Sequence, residues 1–110
     1  MKKELQEKLF EKYPKIFAQR DLPKTETAMC YGISCPDHWY DLIDTLCFNI
    51  QIYIINCNKK SDNEIICEAT QIKSKFKCLR FYVNNNDYYV KGLINMAEAM
   101  SKNIKENKEN

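Results

Sequence analysis

Cys30, Cys35 and His38 are the only soft metal ligands that lie close together in this chain. A structural zinc site takes four cysteine or histidine ligands, commonly two close cysteine pairs, or one pair with two histidines. The spacing C-x4-C is acceptable, but there is a single histidine and no second close cysteine pair. A fourth ligand would have to come from Asp37, Asp41 or a distant cysteine. Metal is therefore not expected. Redox chemistry ranks no higher, because no C-x-x-C motif is present. Cys35 and His38 also have the residue types of a nucleophile and its base. Such a pair needs oxyanion donors and a third, orienting group, and no glycine-rich loop accompanies it. Asp41, Asp44 and Glu68 could pair as acid and base, yet carboxylates on a helix face are ordinarily just solvated. Gly32 and Gly92 stand alone, so there is no phosphate-cradling loop. These residues predict neither an enzyme nor a cofactor.

Binding chemistry is better represented. The stretch "ATQIKSKFKCLRFYV" at 69–83 sets Lys73, Lys75, Lys77 and Arg80 among Ile72, Phe76, Leu79, Phe81 and Tyr82. Period-two alternation puts Leu79, Phe81 and Val83 on one face of a strand and Cys78, Arg80 and Tyr82 on the other. With the first set turned to a core, Arg80 and Tyr82 face outward, with Thr70 or Gln71 across from them. Exposed strand lysines have an ordinary explanation, since they prevent edge-to-edge pairing of sheets. That explanation suits Lys73, Lys75 and Lys77 and leaves Arg80 beside Tyr82 over. A guanidinium fork next to an aromatic face suits phosphate, base or protein contact. Trp39 is read first as core, its indole nitrogen needing a partner. A ligand-stacking role is the sharper alternative, because the adjacent loop is long and carries Tyr31. The expected binding residues are thus Arg80, Tyr82, Trp39, Tyr31, Lys73 and Lys75.

The elements that must position these groups follow from periodicity. Leu5, Leu9, Phe10 and Tyr13 share one helical face, so a helix spans 3–13 and ends before Pro14. Residues 19–36 read as a loop with a short strand at 27–31. Trp39, Leu42, Ile43, Leu46, Ile50, Tyr53 and Ile54 recur at three- and four-residue steps, which predicts a central helix over about 37–57. Ser34 or Asp37 is placed to cap it. The run Phe48–Ile55 is rich in strand formers, but the helical period continues through it. "NKKSDNE" at 58–64 is a turn cluster, and strands follow at 65–73 and 77–83. Asp87 is the expected N-cap of a last helix over 88–106, with a frayed polar tail at 107–110.

A two-stranded sheet is marginal alone. The prediction is therefore a single α+β domain over 1–106, three helices packed on a small antiparallel β-hairpin. The 110 residues, 45% apolar and with a net charge of +2, suit one unstapled core. So small a net charge argues neither for nor against nucleic acid. The N-terminal stretch has no apolar signal-like run, and no segment approaches the roughly 20 apolar residues of a spanning helix. No membrane partner is expected. The six cysteines are expected as reduced thiols in a cytoplasmic protein.

"EKYPKIF" at 11–17, "CYGISCPDHWYDLIDTLC" at 30–47, "ATQIKSKFKCLRFY" at 69–82 and "INMAEAMS" at 94–101 resemble, in that order, a family of small proteins common in bacteriophage and prophage genomes. The resemblance covers most of the chain. It departs where glycine is usual, at Asp37-His38 and at Lys77-Cys78. It implies no reaction and carries no catalytic residue over. What it implies is a phage-type accessory protein in the cytoplasm of a bacterial host. Such a protein would inhibit a host or defence-system component by binding a protein or a signalling nucleotide. The alternative is a nucleic-acid-binding module that uses the 65–83 hairpin as its platform.

Overall fold

Leu9 and Phe10 are buried on one face of the first helix, α1 (Lys3–Lys12), and Glu4 lies in its first turn, where an acid suits the helix dipole. A computed structural model describes residues 1–106 of the chain; the predicted tail at 107–110 lies outside them. Pro14 ends α1 as its pattern predicts. The chain then turns inward, burying Tyr13, Ile16 and Phe17, and the Ile16 carbonyl accepts a hydrogen bond from Ala69 N at 2.8 Å. The N-terminal segment is thus tied to the start of the sheet.

The loop that follows differs from expectation. Residues 29–31 form a 3-10 turn, and the strand comes later, as β1 (Ile33–Ser34). Gly32 separates them with φ at +73° and ψ at −156°, a backbone state that only glycine enters freely. Gln6 reaches from α1 to this point and accepts from Ile33 N at 2.9 Å. A second 3-10 turn, Asp37–Trp39, leads into α2 (Tyr40–Lys59). Neither Ser34 nor Asp37 caps this helix; no side-chain cap bond is made at either start. Asp37 instead accepts from Lys2 N at 2.7 Å, holding the two chain segments together. The β-branched run at 48–55 is helical. Burial of Leu42, Ile43, Leu46, Cys47 and Ile50 along one face outweighs its local strand preference.

The strands are β2 (Ala69–Lys75) and β3 (Cys78–Val83), and the last helix is α3 (Tyr88–Ser101). β2 starts four residues later than expected and α3 stops five residues earlier than expected. The architecture is α+β, three helices on one small sheet, but that sheet is not a bare hairpin. It has three strands in the order β1-β2-β3. β1 pairs with β2 in parallel and β2 with β3 antiparallel, with a bulge at Thr70. A two-residue strand leaves almost no periodicity, which is why the sequence pattern missed the third member.

The outer edge of β3 is closed by α3. Leu79 N donates to Ser101 Oγ at 2.9 Å and Phe81 N donates to Glu98 Oε2 at 3.0 Å. These are the amides an edge strand leaves unpaired. Asp87 caps α3 as predicted, accepting from Tyr89 N at 2.8 Å and Val90 N at 3.2 Å. It also accepts from the Tyr53 hydroxyl at 2.7 Å, and the Tyr53 and Tyr89 rings stack 4.3 Å apart. One carboxylate therefore joins α2 to the start of α3.

Candidate functional site

The cross-strand register decides which side chains share a face. Ile72 lies opposite Phe81, both are buried, and Leu79 is buried on the same side. The alternate residues lie on the other face: Gln71 opposite Tyr82, Lys73 opposite Arg80, and Lys75 opposite Cys78, which α3 buries where the alternation predicts an outward residue. Ser34 of β1 lies beside Lys73 and extends that face. Four of the six expected binding residues, Lys73, Lys75, Arg80 and Tyr82, therefore come together. Directly opposed side chains on a ladder stand roughly 5 Å apart, so Lys73 and Arg80 form a like-charge pair.

Neither residue makes an ion pair among the described residues, and the Glu98 carboxylate beside β3 is engaged by the Phe81 amide. The ion pairs there are Lys2–Asp37, Lys12–Asp44 and Arg20–Asp21, and none of them uses a residue of β2 or β3. Arg80 Nη1 donates to Cys78 Sγ at 3.2 Å and to the Leu79 carbonyl at 3.4 Å. A guanidinium carries five N–H donors, so most of its fork remains open. Cys78 is itself buried beneath α3, with its Sγ 3.4 Å from the Glu98 carbonyl. Arg80 is thereby seated at its base and open at its tip. Like charges placed directly opposite destabilise a sheet.

Edge protection does not account for Lys73, because β1 flanks β2 at that residue. Lys77 is in the turn rather than in a strand. This turn is the most unusual local feature of the chain. Phe76 and Lys77 have φ of +54° and +61°, the pattern of a type I′ hairpin turn. Asn-Gly and Asp-Gly are the favoured occupants of that turn, and non-glycine residues are strained in it. The Phe76 side chain is 87% exposed, flanked by Lys75, whose Nζ stands 5.7 Å from the ring centroid, and by Lys77. An aromatic tip between two cations thus continues the cationic face. Phe76 was not among the expected site residues. The signal that could have found it is a two-residue turn without glycine.

The other expected residues are not brought to this face. Trp39 is 2% exposed and its Nε1 has no hydrogen-bond partner among the described residues. It belongs to the core and is not a surface stacking platform. Tyr31 is exposed in the 3-10 turn before β1, and no ring or side-chain hydrogen bond joins it to the cationic row among the described residues.

Cys30 is exposed, with its Sγ 3.5 Å from the Thr27 carbonyl, while Cys35 is buried. Among the described residues no group of three His, Cys, Asp or Glu side chains could hold a metal ion, so Cys30, Cys35 and His38 do not converge. Burial pushes the Cys35 thiol up to about 12 and the Cys67 thiol to about 11, which leaves both protonated and unreactive near neutrality. Asp44 is engaged structurally, accepting from Lys12 Nζ at 2.9 Å and from the Tyr13 hydroxyl. Burial alone would raise its pKa. Those two hydrogen bonds outweigh burial and hold the carboxyl below its usual range. Glu68 accepts from Gln19 and Asn84. Asp44 and Glu68 are both held by hydrogen bonds, and nothing points to an enzyme.

Two apolar grooves flank α2. One, of about 500 Å3, lies between α2 and the segments around Ile16 and Ile66. The other, of about 320 Å3, lies between α2 and α3 and is lined by Leu93, Met96 and Met100. Neither includes the cationic face. No family model, curated protein or solved structure matches this chain. Among the described residues no helix is long and apolar enough to cross a membrane.

Proposed function

We propose that the protein acts by binding, as a phage-type accessory protein, and that the outward sheet face is its contact surface for an anionic partner. The observation that carries this reading is Lys73 opposite Arg80, neither of which makes an ion pair among the described residues. Such a pair lowers stability in the free protein and is relieved when an anion sits between the two charges. Lys75, Lys77, Tyr82 and the Phe76 tip extend the row. The row is open and linear and borders neither of the two grooves. That favours an extended strand of nucleic acid over a free signalling nucleotide, whose small surface is ordinarily buried in a concave site. Tyr82 and Phe76 supply ring faces on which bases of any identity stack.

The test is fluorescence anisotropy with a labelled 20-nucleotide single strand at several salt concentrations. Four cations on phosphates give a slope of log K against log salt near −2.8, at about 0.7 per contact for single strands. Arg80→Ala is expected to weaken binding about ten-fold, and Lys73→Ala to flatten the slope by one contact. Absence of binding at 50 mM salt, or binding indifferent to Arg80→Ala, refutes the nucleic-acid reading.

The exposed Phe76 tip beside Arg80 and Tyr82 supports a second reading, inhibition of a host or defence-system protein through an acidic patch. Arginine and aromatic anchors at the centre of a contact carry most of its energy. Under that reading a host protein is captured by the wild-type chain but not by Arg80→Ala, and single strands do not compete.

A further inference from the structure

The outer crest of α2 breaks the rule for a surface helix, which buries an apolar stripe and shows a polar one. Among the exposed positions of α2, which also include Asn49 and Asn56, Asp41, Thr45, Phe48, Ile52, Ile55 and Lys59 follow one another at steps of four, three, four, three and four. Phe48 is 52% exposed, and Ile52 and Ile55 are each 42% exposed. Isolated surface apolar residues are unremarkable. These three are contiguous along one seam, and the seam has the spacing with which helices pack side by side.

The seam is also symmetric about its own midpoint. Measured from Ile50, Phe48 lies as far to one side as Ile52 to the other. Thr45 mirrors Ile55 in the same way, and Asp41 mirrors Lys59. Reversing the helix therefore sets Phe48 against Ile52, Thr45 against Ile55 and an acid against a base. The helix dipole alone accounts for an acid in the first turn and a base in the last. The equal distances follow from the step pattern itself; what this chain adds is that the two mirrored end positions carry opposite charges. Neither Asp41 nor Lys59 makes an ion pair within the chain among the described residues.

We infer that α2 is a self-association surface, on which the crest of a second copy of this chain docks antiparallel about a two-fold axis that meets the crest between Phe48 and Ile52, at the level of the buried Ile50. The interface is isologous, so each apolar contact and each Asp41–Lys59 pair occurs twice. Helices packed this way cross at about 20° and lie roughly 8–10 Å apart. The seam is about 27 Å long at 1.5 Å per residue. Met96 and Met100 border the crest across one groove and Ile66 across the other. A single helix pair buries less than the roughly 1,600 Å2 of a standard stable interface. The dimer is therefore weak and concentration-dependent.

Sedimentation equilibrium of the full chain between about 5 and 500 μM tests this. The wild-type protein is expected to pass from monomer to dimer over that range. Ile52→Glu and Phe48→Glu are expected to remain monomeric with an unchanged circular dichroism spectrum. Asp41→Lys and Lys59→Asp each weaken association by about ten-fold, since each sets like charges together at two places. The combined Asp41→Lys/Lys59→Asp chain regains wild-type association to within about two-fold. That rescue distinguishes the antiparallel seam from any other apolar contact. A wild-type protein monomeric at 500 μM overturns the inference. So does a dimer that survives Ile52→Glu, or a double variant no tighter than either single.

Discussion

Replacing Phe76 with Asn and Lys77 with Gly changes stability and binding in opposite directions, and the stability term can be worked from the turn itself. Both residues sit at left-handed φ values, +54° and +61°. Holding non-glycine residues there costs roughly 1 kcal/mol each at the low end, so about 2 kcal/mol is released by the Asn-Gly pair that a type I′ turn favours. Two terms oppose this. Glycine gains freedom in the unfolded chain, which returns roughly 0.4–1 kcal/mol. Removing Phe76 loses the contact with Lys75 at 5.7 Å, worth about 0.5 kcal/mol at an exposed site. Little burial is lost, since the ring is 87% exposed. The net is a stabilisation of about 0.5–1 kcal/mol, or a rise in Tm of about 2–6 °C for a domain of this size. Urea denaturation and scanning calorimetry measure it. The same variant removes one cation and one ring from the proposed contact surface. Its salt slope is expected to fall from about −2.8 to about −2.1. A Tm unchanged or lowered refutes the strain argument. Unaltered affinity removes Phe76 and Lys77 from the surface.

Ser101→Ala leaves the Leu79 amide, which donates to Ser101 Oγ at 2.9 Å, buried without an acceptor. The expected loss is about 1–3 kcal/mol by urea denaturation; a loss below about 0.5 kcal/mol shows that the α3 closure of the β3 edge is dispensable. Asp87→Ala removes the cap of α3 and the Tyr53 contact and is expected to cost about 1–2 kcal/mol at pH 7. Its pH dependence has a definite sign. The Tyr53 hydroxyl and the amides of Val90 and Tyr89 hold the Asp87 carboxyl below its ordinary 3.8. The unfolded chain therefore takes up this proton first as the solution is acidified. The stabilisation is full above about pH 5 and lost as pH falls through the lowered folded value. Wild-type and Asp87→Ala curves converge only below the lowered folded value, and a gap that stays constant into acid contradicts the assignment.

The proposed dimer bears on the proposed function through geometry. The sheet turns its inner face to the core and α2 turns its crest away from that core. In a layered fold these are opposite sides, so a dimer through α2 leaves both cationic faces free. Two linked faces engage one long strand more tightly than either alone. The two proposals remain separately testable, because Ile52→Glu leaves the sheet face intact and Arg80→Ala leaves the crest intact.

Much of this molecule is legible in its residues alone. The helical stripes at Leu5–Phe10, Leu42–Ile50 and Val90–Ala97 mark three helices, because burying one face requires a 3.6-residue period. Pro14 and Asp87 mark boundaries through chemistry confined to a single residue. Alternation through Leu79 and Phe81 tells the inner face of β3 from the outer, except at Cys78, which α3 covers. Other features depend on which segments meet. β1 has two residues and no period of its own; it is a strand because Gly32 and Gln6 bring Ile33 beside Ile72. Ser101 reads as one polar residue ending a helix, and only packing makes it the acceptor for a sheet amide. Asp37 has the chemistry of a helix cap and spends it on Lys2. Lys73 and Arg80 are seven positions apart, and nothing local says that they face each other. The cross-strand register does, and register is set by the turn at Phe76-Lys77 together with the demand that Ile72, Leu79 and Phe81 all enter the core. The types of group available for binding were determined by the sequence. Their convergence into one row was decided by the tertiary structure, because only folding fixes the distances between its members.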